Sequence, residues 1–198
     1  MDSGSTGSEG DKQLAEARRG FAEFLAGRDR IYTFIVNSPL EQRIRTIYSV
    51  IFPGARLWAF YLRFGLARLA QAADWSAIKV LLYKLIGVRI GRGAFISPDV
   101  IIDPHFPELI EIGEYAVLGW GAKIFTHECF ADTYRAGRVS IGRGANIGAF
   151  TVVRGGVRIG ERAEVGAMSV IVRDVPDGGR HIERGYIKAR SGAGHAES

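Results

Sequence analysis

The stretch VSIGRGANIGAFTVVRGGVRIGERAEVGAMSVIVRDVPDG, residues 139–178, decides the fold. An aliphatic residue returns in it at every sixth position: Ile141, Ile147, Val153, Ile159, Val165 and Ile171. The same phase appears earlier in IEIGEYAVLGWGAKIFTHE (110–128), through Ile112, Leu118 and Ile124. It appears again in IGVRIGRGAFISPDVIID (86–103), through Ile90, Ile96 and Ile102. Four positions after the aliphatic residue stands a small or β-branched one, such as Ala94, Ala116, Ala145 or Ala163. Phe106 and Glu128 break that rule. A helix would repeat every 3.6 residues and a simple strand every two, so neither produces this pattern.

Each hexapeptide reads as one short strand and one corner. The aliphatic side chain points inward, the glycine that often follows it relieves crowding at the bend, and the small residue fits the corner. Three such units close a triangular coil, and coils stack at the parallel-strand spacing of about 4.8 Å. Each coil buries its faces only against its neighbours, so the stack needs several repeats and covered ends. The units found here make about four coils.

Two interruptions fall at the same edge of this prism, each after a third strand. Pro107 to Glu111 separate Phe106 from Ile112, and Phe130 to Ser140 separate Cys129 from Ile141. Loops on a rigid scaffold are where binding and catalysis concentrate.

Upstream of the repeats the pattern is helical. Leu40, Ile44, Ile47 and Ile51 recur at three- and four-residue spacing, and Pro53-Gly54 then breaks the run. Leu57 to Leu69 is apolar over most of its surface, and a further helix is expected from about Asp74 to Ile86, with Ile78, Leu81, Leu82 and Leu85 on one side. Asp74 reads as its N-cap and Gly87 as the residue that ends it. The expected organisation is a disordered N-terminus (1–13), an α-helical region (14–86), the β-helix domain (87–178) and a C-terminal tail (179–198). The fold class is mainly β, a parallel β-helix preceded by helices.

Composition narrows the function classes. The chain has 26 glycines but only 6 prolines, which favours many tight corners over a disordered linker. Its formal net charge of +5 suits a phosphorylated ligand, an anionic surface or nucleic acid, but no nucleic-acid-binding motif is present. The single cysteine, Cys129, rules out an internal disulfide. The first twenty residues lack an apolar core, and no run of about 18 apolar residues occurs. A cytoplasmic protein is expected. The aromatic and arginine-bearing segment 56–70 would allow peripheral membrane contact.

At the repeats the sequence resembles the hexapeptide-repeat acyltransferases, and within them the galactoside and maltose O-acetyltransferases. The resemblance covers about residues 84 to 178. It implies a left hand for the β-helix, a homotrimer, acetyl-CoA as acyl donor, no metal, and an active site between subunits. It implies a sugar or glycan hydroxyl as acceptor, as in polysaccharide biosynthesis. His127, at the start of the longer interruption, matches the family's general base, which takes the acceptor's proton during attack on the thioester. Asp103 matches an aspartate at the acceptor end. Asn146 stands where the galactoside/maltose group has tryptophan, so the acceptor pocket should differ. Ala149 matches the oxyanion donor, and Gly166-Ala167 the stretch along the pantetheine arm. In that group the histidine lies two residues later in its hexapeptide.

His105 occupies the position of His127 one coil earlier, so the two should stack about one strand spacing apart. His105 would bind the acceptor or tune His127, or else be a surface histidine. Arg173, Arg180, Arg184 and Lys188 would hold the phosphates of coenzyme A, or form a solvated basic tail. Two rivals remain. A zinc-dependent carbonic anhydrase shares this fold but needs three histidine ligands, with two of them five residues apart, a spacing that is missing here. A non-catalytic scaffold would keep the repeats without binding coenzyme A.

Overall fold

A computed structural model describes residues 6–27, 29–35, 57–130 and 132–182. The helix expected around Leu40 to Ile51, and Arg184 and Lys188, lie outside the described residues. Helix α1 (Thr6–Ala26) leads into strand β1 (Ile31–Ile35), then α2 (Leu57–Ala72) and α3 (Ser76–Ile86). The prism follows. Its first coil is β2 (Arg89–Ile90), β3 (Phe95–Ile96) and β4 (Ile101–Ile102). The second is β5 (Ile110–Ile112), β6 (Val117–Leu118) and β7 (Lys123–Ile124). Strands β8 (His127–Cys129) and β9 (Thr133–Gly137) interrupt the winding. The third coil is β10 (Val139–Ile141), β11 (Asn146–Ile147) and β12 (Val152–Val153), and the fourth β13 (Arg158–Ile159), β14 (Glu164–Val165) and β15 (Val170–Ile171).

The strands form three parallel sheets, one per face: β2-β5-β10-β13, β3-β6-β11-β14-β16 and β4-β7-β12-β15. The register stacks aliphatic on aliphatic, with Ile90 beside Ile112, Ile112 beside Ile141 and Ile141 beside Ile159. These side chains fill the closed interior together with the corner residues Ala116, Ala122, Ala145 and Ala163. The winding continues past the expected end at residue 178. Val175 bridges to Ile159, and β16 (Arg180–His181) pairs with β14, so part of the tail begins a fifth coil.

The corners divide the glycine's work between two positions. The backbone turns left-handed three residues after most of the inward aliphatics, at Gly121 (φ 65°) and Gly144 (φ 63°) but also at Tyr115, Phe150, Arg162 and Met168. The glycine directly after the aliphatic is needed for a different reason. A Cβ on Gly148 would collide with the backbone of Gly166 and Ala167 in the next coil. It permits close stacking of coils rather than the bend itself, which corrects the simpler expectation.

Three readings of the N-terminal region change. Residues 6–13 belong to α1 and are not disordered. The helix is carried through by its later turns, where Phe21 and Phe24 bury against Phe106, Leu109 and Tyr134. Ile31–Ile35 is a strand inside the segment expected to be helical, because it finds an edge on β9. Helix α3 starts at Ser76 and its N-cap is Trp75, with no side-chain cap; Gly87 does end it, at φ 114°. Helices α2 and α3 cover the first coil, placing Ala67, Ala70, Tyr83 and Ile86 on its core. Lys79 is fully buried and donates to the carbonyls of Ala70 (2.9 Å) and Gln71 (3.1 Å), satisfying the end of α2. The Tyr83 hydroxyl donates to Val100 O at 2.9 Å and ties α3 to the coil.

Candidate active site

The longer interruption is a β-hairpin rather than an irregular loop. Strands β8 and β9 pair antiparallel, and β1 adds to the far side of β9. Tyr134 and Ala136 alternate inward, so this small sheet has its own core with α1. Its first strand begins at His127, and the hairpin therefore fixes the backbone that carries the expected base.

Three residues from successive coils meet there. Asp103 follows β4, His105 lies two residues on, and His127 occupies the equivalent position one coil later. The histidine ring centroids are 4.5 Å apart, the stacking expected from the repeat. Asp103 is only 2% exposed. Its Oδ2 accepts from His127 Nδ1 (2.7 Å), Thr126 N (3.0 Å) and Thr126 Oγ1 (2.5 Å). Its Oδ1 accepts from His105 Nδ1 (2.9 Å) and His105 N (3.0 Å). Burial by itself would raise the Asp103 pKa. The hydrogen bonds from His105, His127 and Thr126 outweigh it and hold the carboxyl well below the usual carboxylate range.

An ionised carboxylate only accepts, so each histidine places its proton on Nδ1 and presents Nε2 as the basic nitrogen. Aromatic neighbours hold the His127 ring. Tyr134 stacks at 6.0 Å and Phe106 meets it edge-on at 5.8 Å. Phe60 of α2 lies 5.3 Å from the His105 ring.

Two cavities flank His127 and share Phe125, His127 and Glu128 as a wall. One, of about 400 Å³, is lined also by Asp103, Pro104, His105 and Cys129. The other, of about 340 Å³, runs toward the C-terminal coils past Val152, Arg154, Val170 and Val172. Between them Glu128 takes Arg135 (2.9 Å) and Arg154 as ion-pair partners. Burial would raise the Glu128 pKa, but the two guanidinium groups lower it overall. Glu128, Thr126, Arg135, Arg154 and Tyr134 were not foreseen as site residues. Glu128 did carry a signal, because it and Phe106 are the two exceptions to the small-residue rule of the repeat.

The other expected residues are elsewhere on the chain. His127 lies at the edge between the third and first sheets. Asn146 is exposed on the second sheet, and Ala149, Gly166 and Ala167 lie at the edge between the second and third sheets. Within one chain these two groups stand at opposite edges of the third sheet. Gly148 and Phe150 donate to Val165 and Trp120, which leaves the Ala149 N–H without a partner among the described residues. Arg173 is exposed beyond the smaller cavity, and Arg180 pairs with Glu164 at 2.7 Å. Asp103, His105 and His127 are the only group of His, Cys, Asp and Glu with metal-ligand spacing among the described residues. Here the Nδ1 atoms of both histidines already bond to the carboxylate.

The fold is the left-handed β-helix seen in hexapeptide-repeat acetyltransferase structures. Residues 138–173 match the family model for the bacterial transferase hexapeptide (six repeats). A Bacillus subtilis (strain 168) protein named "Putative acetyltransferase YvoF" is 34% identical over 112 residues, 56% of this chain and 65% of the relative. A Staphylococcus aureus (strain MSSA476) protein described in the same terms is 40% identical over 52 residues, 26% of this chain and 32% of the relative. The chain thus spans under two thirds of these curated relatives. Among solved structures, a Vibrio cholerae hexapeptide-repeat acetyltransferase complexed with acetyl coenzyme A superposes with a TM-score of 0.55 at 22% identity, over 64% of this chain and 84% of that one. A maltose O-acetyltransferase from Clostridium difficile 630 superposes at 0.50 with 16% identity, over 65% and 83%. These likenesses establish the fold and bear out the resemblance to the hexapeptide-repeat acyltransferases.

Proposed function

We propose that this protein is a coenzyme A-dependent O-acyltransferase, transferring acetyl to a sugar or glycan hydroxyl, and that His127 is its general base. The observation that carries the reading is the carboxylate beneath His127. A buried, ionised Asp103 fixes the ring, sets its tautomer and offsets the charge it acquires. The Nε2 nitrogen takes the hydroxyl proton as the acceptor oxygen attacks the thioester carbonyl. The tetrahedral oxyanion then collapses, the C–S bond breaks, and the imidazolium returns its proton to the leaving thiolate. An ester and free coenzyme A result.

A hydroxyl is a poor nucleophile near neutral pH, and a positioned base is worth about 10²- to 10⁴-fold. The cavity that contains His105 is the acceptor side, with His105 accepting a hydrogen bond from the substrate. The cavity lined by Val152, Val170 and Val172 is apolar enough for the pantetheine arm. Asp103 acts here as a positioning residue, because both its oxygens are already engaged.

A homotrimer completes the site. Ala149 and Asn146 would come from a neighbouring subunit, with the Ala149 N–H meeting the oxyanion. Exposed Trp120, Phe150 and Met168 form an apolar row down the edge between the second and third sheets. Phe150 packs over Gly121, so the row is built into the corners, and such a row suits burial between subunits.

The test is acetyl transfer from acetyl-CoA to a panel of sugars, followed by mass spectrometry of the products. An acetylated sugar formed by the wild type and lost in His127→Ala is expected. Equal turnover by both proteins would remove His127 from the mechanism.

A further inference from the structure

Helices α2 and α3 turn their most regular apolar stripes toward solvent. On α2, Trp58, Leu62 and Leu69 fall at i, i+4 and i+11, with Gly65 and Ala72 completing the line, and all are exposed. On α3, Ile78, Leu81 and Leu85 fall at i, i+3 and i+7, headed by Trp75, and these too are exposed. The faces turned inward use Ala67, Ala70, Lys79 and Tyr83 instead. Single exposed leucines are ordinary, but aligned stripes with two tryptophans on adjoining helices mark a surface that something covers.

Charge identifies what covers it. Neither helix contains an aspartate or glutamate, and Arg68 and Lys84 flank the stripes, while Arg63 turns the other way and pairs with Glu108 at 3.6 Å. Aromatic and leucine side chains on one side with basic groups beside them are the composition of a helix lying in a lipid interface. No helix among the described residues is long and apolar enough to cross a membrane, so the fit is to a surface position. The hairpin caps the first coil at one end of the prism, and its inner side brings Phe60 against His105. The exposed stripe of α2 and the histidine pair are thus on opposite sides of a single helix.

We propose that the α2–α3 hairpin docks the protein on an anionic lipid surface, its stripes in the headgroup boundary and Arg68 and Lys84 on the headgroup phosphates. Resting on the transferase reading, the acceptor is then an amphipathic hydroxyl compound held in the same membrane and reached beside α2.

The full chain would be sedimented with vesicles of phosphatidylcholine alone and of phosphatidylcholine mixed with phosphatidylglycerol. Binding to the mixed vesicles is expected, weakening as salt is raised. Leu62→Glu with Leu81→Glu should lower it at least about tenfold while leaving melting temperature and coenzyme A binding unchanged. In a Trp120→Phe background, fluorescence from Trp58 and Trp75 should shift to the blue on adding mixed vesicles. Absence of binding to either vesicle, or equal binding by the double variant, would overturn the proposal. So would failure of acrylamide to quench Trp58 and Trp75 without lipid, which would mean that another segment or a second copy covers the face. Loss of coenzyme A binding with vesicle binding intact would defeat the transferase reading and leave the docking surface standing.

Discussion

The prism and the helical hairpin use hydrophobic periodicity in opposite ways. In the prism, every aliphatic residue of the six-residue period is buried, from Ile90 to Ile171. In the hairpin, Leu62, Leu69, Leu81 and Leu85 keep just as regular a spacing and are exposed. A period states which side chains share a face. It does not state whether that face is covered. In the coils the chain closes on itself within three hexapeptides, so the covered side follows from the repeat. For α2 and α3 the covered side depends on what lies against them, and the first coil accepts their small residues and Lys79. The histidine pair sits where the two regions meet, held by the coil from below and touched by α2 from the side.

This contrast can be broken at several places. The largest effect on stability is expected inside the prism. Ile147 is fully buried, stacked between Leu118 and Val165. Ile147→Ala should cost about 2–5 kcal/mol, read from the shift of a urea midpoint at constant slope. A cost near zero would mean that the coil interior is not close-packed. At the junction, His127→Ala should lower kcat at least about 100-fold, or about 2.7 kcal/mol of barrier, with the midpoint unmoved. Asp103→Asn should approach that loss in activity, since an amide cannot accept from both histidines.

Asp103 also gives a pH signature. Its folded-state pKa lies below the unfolded value, so its contribution to stability is complete above about pH 4 and fades as pH falls further. The stability gap between the wild type and Asp103→Asn should therefore narrow on acidification below pH 4. A gap that stays constant would mean the carboxylate is not held by these hydrogen bonds. The smallest effect belongs to the hairpin surface. Leu81→Ser should change stability by no more than about 0.5 kcal/mol, against the several expected for Ile147→Ala.

Much of this was legible in the sequence because the repeat is local. Each hexapeptide maps onto one strand of β2 to β7 or β10 to β15, and the stacking of His105 under His127 followed from their shared position. The two exceptions to the repeat, Phe106 and Glu128, proved to be the site's own furniture: Phe106 braces the His127 ring and Glu128 walls both cavities. What stayed hidden was non-local. Strand β1 pairs with β9 about a hundred residues away, and no pattern within Ile31–Ile35 announces that partner. Arg154 reaches Glu128 across a coil. The helical start at Thr6 was masked by serine and glycine, and it is held by aromatic contacts made further along α1.

The most direct measurement is a calorimetric titration of the purified protein with coenzyme A, which requires no knowledge of the acceptor. Micromolar binding near one site per subunit, kept in His127→Ala, is the expected result. A well-folded protein that does not bind coenzyme A would contradict the transferase account and leave a scaffold with an unused histidine pair.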